Sequence, residues 1–380
     1  MRISCLVHDL SGNCLVRTYP IAKVLERYYE VEVIGPVSSV GNEIFEPYKN
    51  EFSYRPVLLN QRLSKLSKIE KGILGIKDLV DRIRGDVIYA FKPLVTSFGI
   101  GLLAKHIRRI PLILDIEDWE AERFYDCSYG SKLTSLLRFY DPSSMLYTRL
   151  MELLPNLADE ITVGSNFLQR RFGGIKLPHG ADCDFFDPSK YDREKLRKRH
   201  GLTHTYTILF AGTPHRHKGL EELIEALEIL SLNTVLLLVV GHQTEYLKEL
   251  KEEHNAYIMA IGPRPHVDMS EFLSLADLVV LPQLDVSFAQ AQVPGKVYEA
   301  MAMAKPIIAS AISDLPEILD GCGCIVEPEN PEKLAEAIRY VLDHPKEADE
   351  MGWKARERCI KRYSWDAMEK ILIKIFRKYE

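Results

Sequence analysis

The sequence predicts an α/β protein made of two open, parallel-sheet domains, and three observations carry that prediction. Its 380 residues exceed the ~250–300 at which a single hydrophobic core stops growing, so two ordinary domains are expected. Short apolar runs alternate with amphipathic helical stretches along the chain, which is the mark of βαβ units. Several of those runs are continuously apolar, as strands buried on both faces are.

Strands are expected at 3–9, 29–35, 86–91, 111–116 and 160–164 in the first half. In the second they are expected at 206–212, 234–241, 256–262, 277–282, 305–310 and 323–328. Between them Leu220, Leu223, Ile224, Leu227 and Leu230 recur at helical spacing. Leu334, Ile338, Val341 and Leu342 do the same after Asn330-Pro331, a cap residue followed by proline at the first helical position. Residues 179–201 are turn-rich and then highly charged, and read as the linker, with a boundary near 185–200.

Composition narrows the function classes. At 46% hydrophobic and 27% charged residues, the chain is neither a disordered tail, a collagen-like fibre nor a polytopic membrane protein. Lys plus Arg number 49 against 54 Asp plus Glu, a formal charge of -5, which argues against a general nucleic-acid binder. The seven cysteines are scattered without a C-x-x-C pair, so reduced thiols are expected rather than a disulfide scaffold or a zinc site. No stretch reaches the ~18 apolar residues of a membrane span, and the N-terminus lacks the h-region of a signal peptide. A cytoplasmic protein that touches a membrane at most from outside is expected.

Four stretches carry candidate chemistry. In LFAGTPHRHKGLEELIEAL (209–227) a strand ends at Gly212, a loop holds Thr213, His215, Arg216, His217 and Lys218, and a helix begins near Gly219. Free N–H groups at that helix start favour an anion, and Arg216 and Lys218 add charge-assisted bonds to it; the alternative is a solvated basic turn. In FAQAQVPGKVYEAMAMAKPIIAS (288–310), Pro294 and Gly295 introduce a helix whose first turn holds Lys296 and Glu299. A carboxylate there can bridge two ribose hydroxyls, or can simply be a favourable charge at a helix N-terminus. Met301 and Met303 read as core. In DLSGNCLVR (9–17), Gly12 and Asn13 form a tight turn after the first strand, without the G-x-G-x-x-G of a dinucleotide site. In IPLILDIEDWEAERF (110–124) a strand runs out into Asp115, Glu117 and Asp118. Glu117 or Asp118 can orient or deprotonate a hydroxyl at that mouth; otherwise Asp118 caps a helix, and Asp115 reads as solvated charge.

Other features read more plainly. Asp182-x-Asp184 is expected to form a turn and hold no metal, and the histidines at 215 and 217 lack ligand-spaced partners for zinc. Residues 59–85 form a basic amphipathic stretch. Over 61–85 they hold seven basic residues (Arg62, Lys65, Lys68, Lys71, Lys77, Arg82, Arg84) against three acidic ones (Glu70, Asp78, Asp81). Such a helix lies on anionic lipid or packs on its domain with a solvated face. The aromatic stretch 123–147 could supply a wall for a bound ligand.

These residues together resemble the family-4 retaining glycosyltransferases. The family pattern Gly-Arg-x-x-x-x-Lys-Gly is matched by Gly212, Lys218 and Gly219. Its glutamate, followed by Ala-Met-Ala and a Pro-led apolar strand, is matched by Glu299, Ala300, Met301, Ala302 and Pro306. ADEITVGSNFLQRRF (158–172), LPHGADCDFFDP (177–188), SDLPEIL (313–319) and KRYSWDAMEKIL (361–372) resemble further family segments in order. There are departures. Thr213 stands at the family's arginine, a charge that Arg216 can supply. Ala291 replaces an earlier glutamate that contacts the donor sugar, and Pro294, Lys296 and Glu299 match a Pro-x-Lys-x-x-Glu subgroup. Glu117 stands where many relatives have His, and His179 where they have Asn, a hinge position.

The resemblance implies the GT-B architecture, two Rossmann-like domains facing across a cleft. It divides the chain into 1–187 plus a returning C-terminal helix 363–380, and a donor-binding domain 188–362. It implies retaining transfer of a sugar from a nucleoside-diphosphate-sugar to a glycan, lipid-linked or small-molecule acceptor hydroxyl, with no obligatory metal and no cofactor. Lys218, Arg216 and Lys296 would meet the diphosphate, Glu299 the ribose, and Gly262, Pro263 and Arg264 the base. Gly212, Thr213 and Gly295 complete the donor loops, and Gly12 and Asn13 approach the donor phosphates from the first half. Glu117, Asp118, Lys218 and Glu299 are the catalytic candidates. A nucleotide-sugar epimerase or phosphorylase of the same fold, and a catalytically silent nucleotide-sugar-binding subunit, are the alternatives.

Overall fold

A computed structural model describes residues 1–37, 43–58, 68–124, 144–202, 206–231, 234–254 and 258–380, with the backbone alone at 58, 68–74, 123 and 124. The chain forms two compact units, Met1–His179 with Met368–Glu380, and Gly180–Ala367.

The first unit is built on seven strands, β1 (Arg2–Leu6), β2 (Glu30–Val37), β3 (Tyr54–Leu58), β4 (Val87–Phe91), β5 (Leu112–Ile116), β6 (Glu160–Val163) and β7 (Ile175–Lys176). They lie in the order β3-β2-β1-β4-β5-β6-β7, every pair parallel. The second unit holds β8 (Tyr206–Ala211), β9 (Val235–Val240), β10 (Ile258–Ile261), β11 (Leu278–Leu281), β12 (Ile307–Ser310) and β13 (Cys324–Val326), in the order β10-β9-β8-β11-β12-β13 and again wholly parallel. All eleven strands expected from the apolar runs are present. β3 and β7 escape the pattern because both are edges. β3 carries Pro56, which an edge strand tolerates because one row of its N–H groups has no partner to serve, and β7 is two residues long.

Both faces of each sheet are covered, which is why β4 and β9 are buried along their whole length. Side chains alternate across β11. Leu278 and Val280 join Leu220, Leu223 and Ile338 in one core, whereas Val279 and Leu281 join Val297, Ala300 and Met301 in the other. The helix Pro331–Asp343 begins as its sequence predicts, with the Asn330 side chain accepting from Lys333 N at 3.0 Å.

The units divide after His179, earlier than the linker composition suggests, because 181–187 are stitched to the second unit. Ala181 N donates to Tyr363 O at 2.8 Å, and Ala181 O accepts from Trp365 N at 2.9 Å. Phe186 enters the second core. The charged stretch beyond it forms the helix Arg193–Arg199, capped by Asp192. The closing helix Trp365–Phe376 changes unit at Met368, and its Phe376 packs 5.6 Å from the Tyr89 ring. The six described cysteines are free thiols. Of the basic stretch, Lys68–Arg82 is helix, and 59–67 lie outside the described residues, as does most of the aromatic stretch 123–147.

Asp115 is not solvated charge. It ends β5 inside the first unit, where Arg17 Nε and Nη2 donate to its two oxygens at 2.9 Å each. Thr162 Oγ1 donates to it at 2.7 Å, and Arg17 Nη2 also reaches Leu177 O at 2.9 Å. Burial opposes the guanidinium charge, but the Asp115 carboxylate outweighs it and raises the Arg17 pKa. Removing one partner strands a buried charge, so Asp115→Ala should cost about 3–5 kcal/mol in urea unfolding followed by fluorescence. A loss well below 1 kcal/mol would show that the pair does not hold this unit together.

Candidate functional site

The strand order of the second sheet reverses between β8 and β11, and open α/β sheets bind ligands outside the carboxyl ends of such strands. The loop leaving β8 begins at Gly212, whose φ of 123° suits glycine. It passes through the 3-10 turn Arg216–Lys218 and enters the helix Leu220–Leu230 at Gly219, φ 64°. A Cβ on Gly219 would collide with the Pro282 carbonyl oxygen of the loop leaving β11, and Leu284 N donates to His217 O at 3.0 Å. The two loops are thus laid against each other. Glycine at 219 is a requirement of that contact as well as of its backbone angle.

Lys218 folds over the turn, its Nζ 3.4 Å from where a Gly212 Cβ would stand. Burial lowers the His215 imidazole pKa, and the neighbouring Lys218 charge lowers it further. Arg216 is placed differently from the expectation. Its side chain is 71% exposed, lies over the Tyr246 ring and approaches Glu221 and Glu249 at 3.9 and 3.8 Å. At such exposure these are weak surface contacts.

Glu299 lies in the helix Lys296–Ala302, buried, one turn beyond Pro294 and Gly295. Lys296 Nζ donates to both its oxygens, at 2.9 and 3.2 Å, and His266 Nε2 stands 3.4 Å from Oε1. Burial opposes the negative charge, yet Lys296 and then His266 overcome it and hold the Glu299 carboxyl down at about 2. The sequence reading missed His266. It is delivered by the 3-10 turn His266–Asp268, just beyond Gly262, Pro263 and Arg264, and the Pro-x-Pro-His run after an expected strand was its only signal. A Cβ at Gly262 would meet nothing within 4 Å, and Pro263 and Arg264 are exposed. The structure therefore brings the expected base-side loop to the expected ribose-side carboxylate. Gln283, directly after β11, also passed unnoticed. It is 3% exposed, and its Oε1 is buried without a hydrogen-bond partner.

In the first unit the order reverses between β1 and β4. After β1, Asp9 accepts from Ser11 N at 2.9 Å and shapes the turn through Gly12 and Asn13 into the helix Leu15–Glu26. Thr96 Oγ1, beyond β4, donates to His8 O at 2.9 Å and ties the two loops. Lys92 is buried with Asp118 at 2.5 Å and Glu120 at 2.6 Å. Burial works against the ammonium, but these carboxylates raise its pKa well above the usual value. Asp118 is thus one arm of a buried ion cluster, whereas Glu117 places Oε1 3.7 Å from the buried His179 Nδ1. Asp182 accepts from Asp184 N and Phe185 N, a turn as its sequence suggests. Among the described residues no three His, Cys, Asp or Glu side chains are grouped to hold a metal ion.

Residues 192–358 match the family model of glycosyl transferases group 1. A GDP-mannose-dependent monoacylated alpha-(1-6)-phosphatidylinositol monomannoside mannosyltransferase of Corynebacterium glutamicum is 28% identical over 241 residues, 58% of this chain and 62% of that protein. The chain thus spans less than two thirds of that relative's length. An uncharacterized glycosyltransferase of Methanocaldococcus jannaschii is 25% identical over 392 residues, 96% of this chain and 94% of its own. The solved structure of Anabaena HepE in complex with UDP and glucose superimposes with a TM-score of 0.75 at 17% identity, covering 100% of both chains. The fold is GT-B.

Glu299 ties the site to pH. With its folded pKa held near 2 against an ordinary value of 4.5, it contributes stability that is complete above about pH 4.5 and is lost as pH falls toward 2. The contribution is on the order of 3 kcal/mol. The stability gap between wild type and Glu299→Gln should therefore narrow steadily from pH 5 to pH 2 in denaturant titrations. A gap that does not change with pH would mean that Glu299 is not held ionised.

Proposed function

We propose that the protein transfers a sugar from a nucleoside diphosphate to an acceptor hydroxyl with retention of configuration, using no metal and no cofactor. The observation that carries this reading is the Glu299–Lys296–His266 cluster at the edge where Lys218 overhangs Gly212. Glu299, ionised and fixed, accepts from two ribose hydroxyls. The open backbone at 262–264 takes the base. Lys218 absorbs the charge that develops on the departing diphosphate, a preorganised electrostatic role, and that diphosphate serves as the base for the acceptor proton. Glu117 orients the acceptor hydroxyl, with His179 beside it, while Asp118 holds its loop through Lys92.

The Corynebacterium relative is named for a GDP-mannose donor and a phosphatidylinositol acceptor, which supports testing GDP-mannose beside UDP-glucose and lipid-linked beside glycan acceptors. Lys218→Ala and Glu299→Ala should each lower turnover by about 10²-fold or more, and UDP or GDP should raise the melting temperature of the wild type. Wild-type rates in either folded mutant would remove that residue from the mechanism. Sugar conversion without an acceptor would indicate an epimerase, and nucleotide binding with neither transfer nor hydrolysis a silent subunit.

Peripheral contact with an anionic membrane, first suggested by 59–85, has further support in the first unit. No helix among the described residues is long and apolar enough to cross a membrane. Leu103 and Ile107 on the helix Ile100–Arg108, and Leu146, Leu150 and Leu153 on and after the helix Met145–Glu152, are exposed, Leu153 by 77%. Arg109 and Arg149 are exposed among them, a combination that suits anionic lipid. The protein should co-sediment with phosphatidylcholine vesicles holding 30% phosphatidylglycerol, and Leu150→Ser/Leu153→Ser should not. Equal sedimentation of both would discount this face.

A further inference from the structure

We propose that Gln283 is a specificity determinant that accepts a hydrogen bond from a hydroxyl of the transferred sugar. The proposal rests on the donor-binding reading above and extends it to a group that reading leaves unassigned.

Gln283 sits where the loops of the site meet. Pro282 presses its carbonyl oxygen against Gly219, and Leu284 N donates to His217 O, so the residues on both sides of Gln283 are committed to the loop that carries Lys218. In an extended segment side chains stand perpendicular to such backbone contacts, alternately on the two faces. The alternation of β11 says which face. Val279 and Leu281 face the core containing Val297 and Ala300, and Gln283, two residues further, continues on that side, the side of the helix bearing Lys296 and Glu299. The backbone around Gln283 is thus joined to the loop of Lys218, and the alternation of the strand directs the carboxamide toward the side of the helix bearing Lys296 and Glu299.

There it is an anomaly. Buried polar side chains are almost always satisfied, and leaving an acceptor out of water without a partner is costly. Gln283 Oε1 is buried and has no partner among the described residues, so a bound molecule that offers it a hydrogen gains a full hydrogen bond. An acceptor oxygen selects what that molecule presents. Diphosphate oxygens carry no hydrogen at neutral pH and cannot satisfy it. The ribose hydroxyls are taken by Glu299 and the base by 262–264. The hydroxyls of the transferred sugar remain. The neighbouring helix Ser287–Ala291 ends in a buried methyl at Ala291, which offers no acceptor for the same task.

The test compares Gln283→Met, an apolar side chain of similar length, and Gln283→Glu, which keeps an acceptor, with the wild type. Calorimetric titrations with UDP, GDP, UDP-glucose and GDP-mannose give two affinities for each base, with and without the sugar. For the base that binds, Gln283→Met should weaken the nucleotide sugar about tenfold, as loss of one hydrogen bond of about 1.4 kcal/mol does. It should leave the nucleoside diphosphate within about twofold, and Gln283→Glu should recover part of the loss. The melting temperature of ligand-free Gln283→Met should hold or rise, because the substitution removes an unsatisfied polar group. Unchanged nucleotide-sugar affinity, an equal loss for the diphosphate alone, or a marked fall in the ligand-free melting temperature would each overturn the proposal. A wild type that binds none of the four ligands would instead sink the donor reading, and this inference with it.

Discussion

A carboxylate taken out of water reverts to its neutral acid unless cations or hydrogen-bond donors replace the lost hydration, and Glu299 keeps its charge because Lys296 and His266 stand against it. Much of the second unit's carboxyl edge follows from that. The cluster pins the turn after β10 to the start of the helix Lys296–Ala302, so two segments far apart in sequence hold one geometry. It also commits Lys296. An ammonium bonded to both oxygens of Glu299 has part of its charge neutralised before any ligand arrives. Lys296 then acts first by keeping Glu299 ionised.

Lys218 in turn depends on glycine. Gly219 admits the Pro282 carbonyl, and Gly241 lets the end of β9 pass close to the Gly212 carbonyl. These contacts lock the loops after β8, β9 and β11 together at their roots, so the ammonium over Gly212 is carried on rigid strand ends. An alanine at 219 would meet backbone and not a pliable side chain, and the loop bearing Lys218 would have to move as a whole.

What could be read in advance, and what could not, follows the range of the interactions. The eleven expected strands were legible because each is a short apolar run between helical stretches, continuous where both faces are buried as in β4 and β9, and the loops of Lys218 and Glu299 because each lies within a few residues of a strand end or helix start. Long-range pairing leaves no such trace. Nothing near Asp115 announces Arg17, 98 residues away, so a strand-end aspartate reads as solvated when it is the centre of a buried network. Arg216 shows the converse. Its place in the loop suggested a second phosphate cation, and nothing in the sequence signals that the side chain lies over the Tyr246 ring near two glutamates on other helices. His266 and Gln283 were missed because a single polar residue after a strand is ordinary until its burial and its partners are known.

The first unit presents the opposite chemistry at its own carboxyl edge. Asp9, Glu117, Asp118 and Glu120 gather there with Lys92 as the balancing ammonium. Cys14 lies among them, and burial pushes its thiol up to about 11 against the lowering effect of Lys92, with the surrounding carboxylates adding to the rise. The thiol stays protonated at neutral pH, so it is no nucleophile. A surface of this kind repels phosphate and favours neutral ligands rich in hydroxyl donors, because carboxylates are acceptors only. Glu117 adds its charge to the field that raises the Lys92 pKa behind Asp118 and Glu120, and its neighbour His179 ends the unit at the point where the chain leaves for the next. Asp118, by contrast, is bonded directly to Lys92 at 2.5 Å.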